Sequence, residues 1–142
     1  MRYERVYMVW DIYDGPRTGI TNVNGMPHYF SSIFDEAADE YSARFTVSPV
    51  GDEFLDRALR QWTIFRSWEL QFHQGAAGLD THPGHGGIDA EYDSTRTWLK
   101  GRMSALEPAP YSLTADFRAV AGQDDPPHGV LRELEVAWSR ER

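Results

Sequence analysis

The chain has 142 residues, of which 41% are hydrophobic and 13% aromatic, so it can bury the core of one domain and is not a disordered chain. It contains no cysteine, which excludes disulfides and thiolate chemistry. The net charge of −8 argues against a protein that binds nucleic-acid phosphates, because such a protein needs a basic surface.

The distribution of charge and hydropathy predicts a cytoplasmic protein that does not enter a membrane. No apolar run approaches the roughly 20 residues of a transmembrane helix. The first ten residues alternate charged with apolar side chains and lack the apolar core of a signal peptide. Residues 31–60 carry seven acidic side chains against three arginines, which is typical of a solvated face or of a surface that binds a basic partner.

Four strands are predicted in the first fifty residues, because apolar and polar side chains alternate along them. Two turn sequences separate the first three strands. Asp14-Gly15-Pro16 ends the first, since proline cannot donate to a ladder, and Asn24-Gly25 forms a hairpin, since both residues tolerate positive φ. The predicted strands cover residues 6–12, 20–23, 30–34 and 41–48.

Helical periodicity predicts one long helix over residues 52–74, followed by a stop at Gly75. A weaker pattern predicts a shorter helix from about Asp89 to Leu106, and two further strands follow it. The order β-β-β-β-α-α-β-β predicts a single α+β domain over residues 1–142. We expect one antiparallel sheet of five or six strands with both helices packed on one face.

Glu69 lies in the middle of the apolar stripe of the long helix, between Phe65 and Phe72 on a helical wheel. A carboxylate there must be paired, hydrogen-bonded or protonated, since an isolated charge is costly to desolvate. His73 follows one turn later and can reach it. The two residues are therefore a candidate acid–base pair. The alternative is a structural ion pair of Glu69 with His73 or with an arginine from the sheet.

The opening hairpin contains the densest polar constellation in the chain. Its register places His28 opposite Thr21, near the centre of the sheet, with Asp11 on a neighbouring strand. His28 and Asp11 are therefore candidate catalytic residues. Arg17 and Tyr13, near the first turn, are candidate ligand-binding residues that would suit an anion. In the alternative interpretation, Arg17 is solvated and His28 is a satisfied cross-strand residue.

Two histidines, His82 and His85, lie in a loop rich in glycine and proline after the long helix. Together with His73 they could form a divalent metal site that keeps an open position, as catalytic zinc requires. Their spacing matches no strong metal motif such as H-E-x-x-H. No cofactor is therefore predicted, and a metal at His73, His82 and His85 is kept as an alternative.

The long helix also carries Trp62, Phe65 and Trp68, which could line an aromatic pocket for a small ligand. Trp62 and Trp68 are the candidate ligand-binding residues of that pocket. Their spacing follows the helix period, which is equally typical of a packed core. No nucleophile elbow, phosphate-binding loop or glycine motif for dinucleotides occurs in the chain.

Four short sequences carry a resemblance to a known group of proteins. They are YDGPRxGI at residues 13–20, GxPHxF at residues 25–30, WExxFH at residues 68–73 and THP at residues 81–83. In these sequences the chain resembles a group of small uncharacterised bacterial proteins. The resemblance implies an α+β bacterial domain, and the group has no known activity to transfer.

These observations favour a small acidic protein that acts by binding a protein partner, as an accessory, inhibitor or immunity-like protein. Its acidic surface and the edge of the hairpin would hold the partner, so we expect an exposed apolar patch or a sheet edge near the acidic segment. One alternative is a ligand carrier with an aromatic pocket. The other is a small acid–base or metal-assisted enzyme that uses Glu69, His73, His82 and His28.

Overall fold

The computed structural model of the chain describes residues 2–124 and 131–140. Within these residues, six strands and two α-helices confirm the predicted α+β class. The strands are β1 (Tyr3–Ile12), β2 (Pro16–Val23), β3 (Met26–Asp35), β4 (Glu40–Pro49), β5 (Leu113–Ala119) and β6 (Leu134–Arg140). The helices are α1 (Asp52–His73) and α2 (Ala90–Met103), and two short 3-10 helices, at Leu79–Thr81 and Pro83–His85, lie between them in the chain.

The chain divides into two compact units. The first, which we call the barrel unit, comprises residues 1–51, 106–121 and 133–142 and contains the six strands named above. The second, the helical unit, comprises residues 52–105 and 122–132 and contains both α-helices. In the part of the chain that the structure describes, neither helix is long and apolar enough to cross a membrane.

The six strands form one antiparallel sheet that closes into a barrel in the order β1-β2-β3-β4-β5-β6. β6 closes it by pairing with β1 through Tyr3–Ala137, Glu4–Val136 and Arg5–Glu135. The sequence pattern predicted the antiparallel sheet but not its closure. These partners come from opposite ends of the chain, and no local pattern specifies which distant strands will pair.

The Asn24-Gly25 turn has the conformation that its sequence favours. Asn24 and Gly25 adopt φ angles of 53° and 78°, as a type I′ hairpin turn requires. The predicted register is confirmed, since Thr21 lies opposite His28. The carboxylate of Glu4, on β1, accepts hydrogen bonds from the amides of both turn residues, at 3.0 and 2.6 Å. These bonds hold the turn against the neighbouring strand.

An aromatic cluster fills the centre of the barrel unit. Phe30 is fully buried and lies opposite Gly19 on β2. A Cβ atom at Gly19 would overlap the carbonyl oxygen of Met8 and lie 2.9 Å from the Phe30 ring, so only glycine fits there. Ring centroids within the cluster are 5.6–6.0 Å apart in every pair, and its members are Phe30, Phe45, Phe117 and Trp138.

In the helical unit, a glycine follows the end of α1 and a capping aspartate precedes the start of α2. α1 ends at His73 and is followed by Gly75 in the left-handed region at φ 77°, close to the predicted end. α2 begins after Asp89, whose carboxylate accepts a hydrogen bond of 2.8 Å from the amide of Tyr92. It ends at Met103, earlier than predicted.

Candidate functional site

A hollow of about 790 Å³ lies at the end of the barrel where β1 leads into β2 and β3 leads into β4. Each of the two connections contains an aspartate with positive φ, Asp14 at 53° and Asp39 at 54°. Both connections therefore turn sharply and present their side chains at the same end. The residues that line the hollow are Asp11, Ile12, Tyr13, Asp14, Arg17, Thr18, Ser31, Ser32, Phe34, Asp39, Glu40 and Tyr41.

Four large apolar side chains of the hollow are exposed: Ile12, Tyr13, Phe34 and Tyr41. Tyr41 connects them, because its ring centroid lies 6.0 Å from that of Tyr13 and 5.2 Å, edge-on, from that of Phe34. Apolar side chains gathered on one exposed surface commonly mark a place where a partner or ligand binds. The hollow is therefore our candidate functional site.

Arg17 supports the shape of the hollow. Its Nε donates to the carbonyl of Tyr13 at 2.6 Å, and one Nη donates to the carbonyl of Asp14 at 2.8 Å. The other Nη donates to the hydroxyl of Ser32 at 3.3 Å, and the guanidinium carbon lies 4.6 Å from the centre of the Tyr41 ring. Arg17 is thus not simply solvated: it ties the β1–β2 turn to β3 and β4.

Carboxylates dominate the charge of the hollow. Asp11, Asp14, Asp39 and Glu40 line it, against the single guanidinium of Arg17. Asp11 accepts a hydrogen bond of 2.6 Å from the Thr18 hydroxyl, which fixes its direction. Burial and, after it, the charge of Asp11 raise the pKa of Tyr29 on β3. This balance of charge suits a cationic group better than the anion that the sequence suggested.

The predicted Asp11–His28 pair does not form. Asp11 pairs with Thr18 and His28 pairs with Thr21, so β2 runs between the strands that carry them. His28 is only 8% exposed, and its Nδ1 lies 2.7 Å from the carbonyl oxygen of Met26, to which it donates. His28 is therefore a satisfied cross-strand residue, while Asp11, Arg17 and Tyr13 meet at the hollow.

Glu69 is half-buried, with 13% of its side chain exposed, as the helical wheel predicted. Its partner is different from either of those expected: Glu69 accepts a hydrogen bond of 2.6 Å from Arg66, one turn earlier on α1. Arg66 also donates to the carbonyl of Leu131 at 2.8 Å. His73 is exposed, and its ring contacts Phe72 at 5.1 Å. Glu69 thus forms a structural ion pair.

The two loop histidines lie together in the helical unit. Their ring centroids are 5.4 Å apart, and the His82 ring lies 4.3 Å from that of Trp68. His82 Nδ1 accepts a hydrogen bond of 2.8 Å from the amide of Gly84, and His85 Nε2 lies 3.0 Å from the carbonyl of Leu79. Burial and, after it, the charge of His85 lower the pKa of His82.

The metal prediction at His73, His82 and His85 gains no support from this arrangement. Over residues 2–124 and 131–140, no group of three or more histidine, aspartate and glutamate side chains is placed to hold a metal ion. The ring nitrogens named above are engaged with backbone groups of their own loop. The metal site stays a prediction.

The aromatic side chains of α1 stack along the helix. Phe65 lies between Trp62, at 5.4 Å, and Trp68, at 6.2 Å. A smaller hollow of about 390 Å³ lies beside them, but among these three residues only Trp68 lines it. The Trp68 indole donates to the Thr81 hydroxyl at 3.1 Å. Trp68 thus lines this hollow, and an aromatic pocket that includes Trp62 and Phe65 stays a prediction.

Sequence patterns identified three of the twelve residues that line the hollow. Asp11, Tyr13 and Arg17 were candidates, whereas Phe34, Glu40 and Tyr41 were not. The alternation of residues 41–48 suggested that Tyr41 belongs to a buried face, and the acidic segment gave no sign of its spatial neighbours. Comparisons with protein-family models, with curated proteins and with solved structures gave no match to this chain.

Proposed function

We propose that this chain is a small acidic cytoplasmic protein that acts by binding, as an accessory, inhibitor or immunity-like protein whose partner presents a basic surface. One observation carries the proposal: four exposed apolar side chains and four carboxylates line the same hollow of about 790 Å³. An exposed apolar patch beside the acidic segment is what the binding hypothesis predicts.

The chemistry of the hollow suits lysine or arginine side chains. Their methylene stems would pack on the rings of Tyr13 and Tyr41, and their charged ends would meet Asp39 and Glu40. Aromatic faces also attract cations directly. Because Arg17 is engaged with backbone carbonyls and with Ser32, it shapes the hollow and leaves Asp39 and Glu40, which we call the rim, to face the partner.

Three of the side chains that the enzyme alternative would use have other hydrogen-bond partners among the described residues. Glu69 is bonded to Arg66, His28 to the backbone of β3, and His82 to the backbone of its own loop. Partner binding accounts for the hollow without assigning any of these residues a second role.

The proposal is tested by neutralising the rim with substitutions that keep its shape. Asp39→Asn with Glu40→Gln removes two charges, and asparagine tolerates the positive φ of residue 39. Asp56→Asn with Glu107→Gln is the matched control, since these exposed carboxylates do not line the hollow. We expect wild type and control, each used as bait in a lysate of the source cells, to capture a protein with a basic surface that the rim variant loses. Equal capture by all three would contradict the proposal.

A further inference from the structure

β4 has a free edge next to the hollow. β4 pairs with β3 at residues 40–41 and 45–49, with one register shift between these two stretches, but β5 meets it at only two residue pairs, Arg44–Thr114 and Phe45–Leu113. In the part of the chain that the structure describes, no strand pairs with residues 40–43 on that side. Glu40, Tyr41 and Ala43 are exposed, so this edge is accessible.

The facing strand is free over the corresponding length. If the β4–β5 register continued, Ala43 would lie opposite Ala115 and Tyr41 opposite Phe117. Instead, residues 115–119 of β5 pair only with β6 among the described strands. The barrel wall therefore opens between residues 40–43 of β4 and 115–119 of β5. We call this opening the seam.

A second partly unpaired edge, on β1, is not equivalent. β1 pairs with β6 only through residues 3–5, but the next stretch includes Val6, Met8 and Val9, which are buried. Three register shifts interrupt the pairing of β1 with β2, against one in the pairing of β3 with β4. Irregular strands of this kind are poor templates for a further strand. Of these two edges in the described residues, the seam is thus the more exposed and the more regular.

We propose, on the basis of the function proposed above, that the partner inserts an extended basic segment at the seam and pairs with residues 40–43 of β4. Open strand edges bind extended segments through main-chain hydrogen bonds, and neighbouring side chains give the specificity. The charge of the edge selects the occupant. Four carboxylates lie on or just before it, at Asp35, Glu36, Asp39 and Glu40.

The same charge disfavours a second copy of this chain as the occupant. Each copy carries a net charge of −8, so pairing two acidic edges would place like charges side by side. A basic segment instead brings opposite charges together. It would also lie beside Phe34 and Tyr41, whose exposed rings line the adjoining hollow.

The test uses two synthetic octapeptides of alternating arginine and valine, one plain and one N-methylated at every amide. N-methylation removes the amide donors of both edges and leaves the charge unchanged. We expect the plain peptide to bind about tenfold more tightly, because the methylated one cannot complete the ladder. We also expect it to slow hydrogen exchange of the amides of residues 40–43.

The outcomes separate this inference from the proposed function. If both peptides bind equally and exchange at residues 40–43 does not change, the strand-pairing mode is wrong and an acidic binding surface remains. If neither peptide binds, both the pairing mode and the basic partner are wrong. Tighter binding of the plain peptide with protection confined to other strands would also overturn pairing at the seam.

Discussion

Two charged side chains, Arg17 and Glu69, are candidate ligand-binding and catalytic residues in the sequence. In the structure, both form hydrogen bonds within the fold. Arg17 gives three of its N–H groups to two carbonyls and a hydroxyl, and Glu69 accepts a hydrogen bond from Arg66. Both side chains are partly buried, and neighbouring polar groups compensate the charge of each, as a partly buried charge requires. For Glu69, unusual placement in a hydrophobic pattern thus indicated a constrained residue, and Arg66 supplies its partner.

Replacing Glu69 with glutamine should destabilise the protein by about 1–2 kcal/mol, because Arg66 would lose its charged partner in a half-buried position. The exposed pair Arg60–Glu91 provides the control, since 66% and 49% of those side chains are exposed. Glu91→Gln should cost much less. The free energy of unfolding in urea measures both. Equal losses would contradict the structural role, and capture of the partner should be unchanged in Glu69→Gln.

Gly19→Ala should lower the free energy of unfolding by about 3 kcal/mol, because the new methyl group would overlap the Met8 carbonyl and press on the Phe30 ring. Gly101→Ala provides a control of opposite sign. A Cβ at Gly101 meets nothing within 4 Å in α2, so alanine should stabilise the helix by about 0.5–1 kcal/mol. Chemical denaturation measures both, and a neutral Gly19→Ala would contradict the packing of β2 under Phe30.

At the scale of elements, short sequence signals specify the hairpins well. Asn24-Gly25 determines its own turn and the register of β2 with β3, because type I′ geometry needs residues that tolerate positive φ. The short 3-10 helix at Pro83–His85 is also held by a residue close to it in the sequence. His82 precedes this helix, and its Nδ1 accepts a hydrogen bond from the amide of Gly84. That bond requires an unprotonated Nδ1.

This turn should therefore be sensitive to pH. The pKa of His82 is lowered from its ordinary 6.5 by burial and by His85, so the unfolded chain binds the proton more readily. The stabilisation is complete above pH 6.5 and is lost as the pH falls toward the lowered pKa. His82→Asn keeps an acceptor and cannot titrate. Between pH 7.5 and 5, the melting temperature of wild type should fall further than that of His82→Asn, and parallel falls would contradict this origin.

At the scale of the whole molecule, the sequence predicted only those features that depend on residues close together in the chain. Alternation over residues 41–48, the wheel position of Glu69 and the Asn24-Gly25 register each depend on neighbours in sequence. Closure of the barrel depends on Tyr3 meeting Ala137, and the hollow depends on Asp11 and Tyr41 meeting at one end. Because the pairing of distant strands leaves no periodic signal, the closure and most residues of the candidate site were missed.

The most direct test of the binding hypothesis is the dissociation constant of the plain arginine–valine octapeptide for three proteins: wild type, the rim variant Asp39→Asn with Glu40→Gln, and the control Asp56→Asn with Glu107→Gln. The two variants have the same net charge. If the hollow binds the basic partner, the rim variant should bind about tenfold more weakly and the control should match wild type. Equal weakening in both variants would mean that net charge alone attracts the peptide, and would contradict a binding site in the hollow.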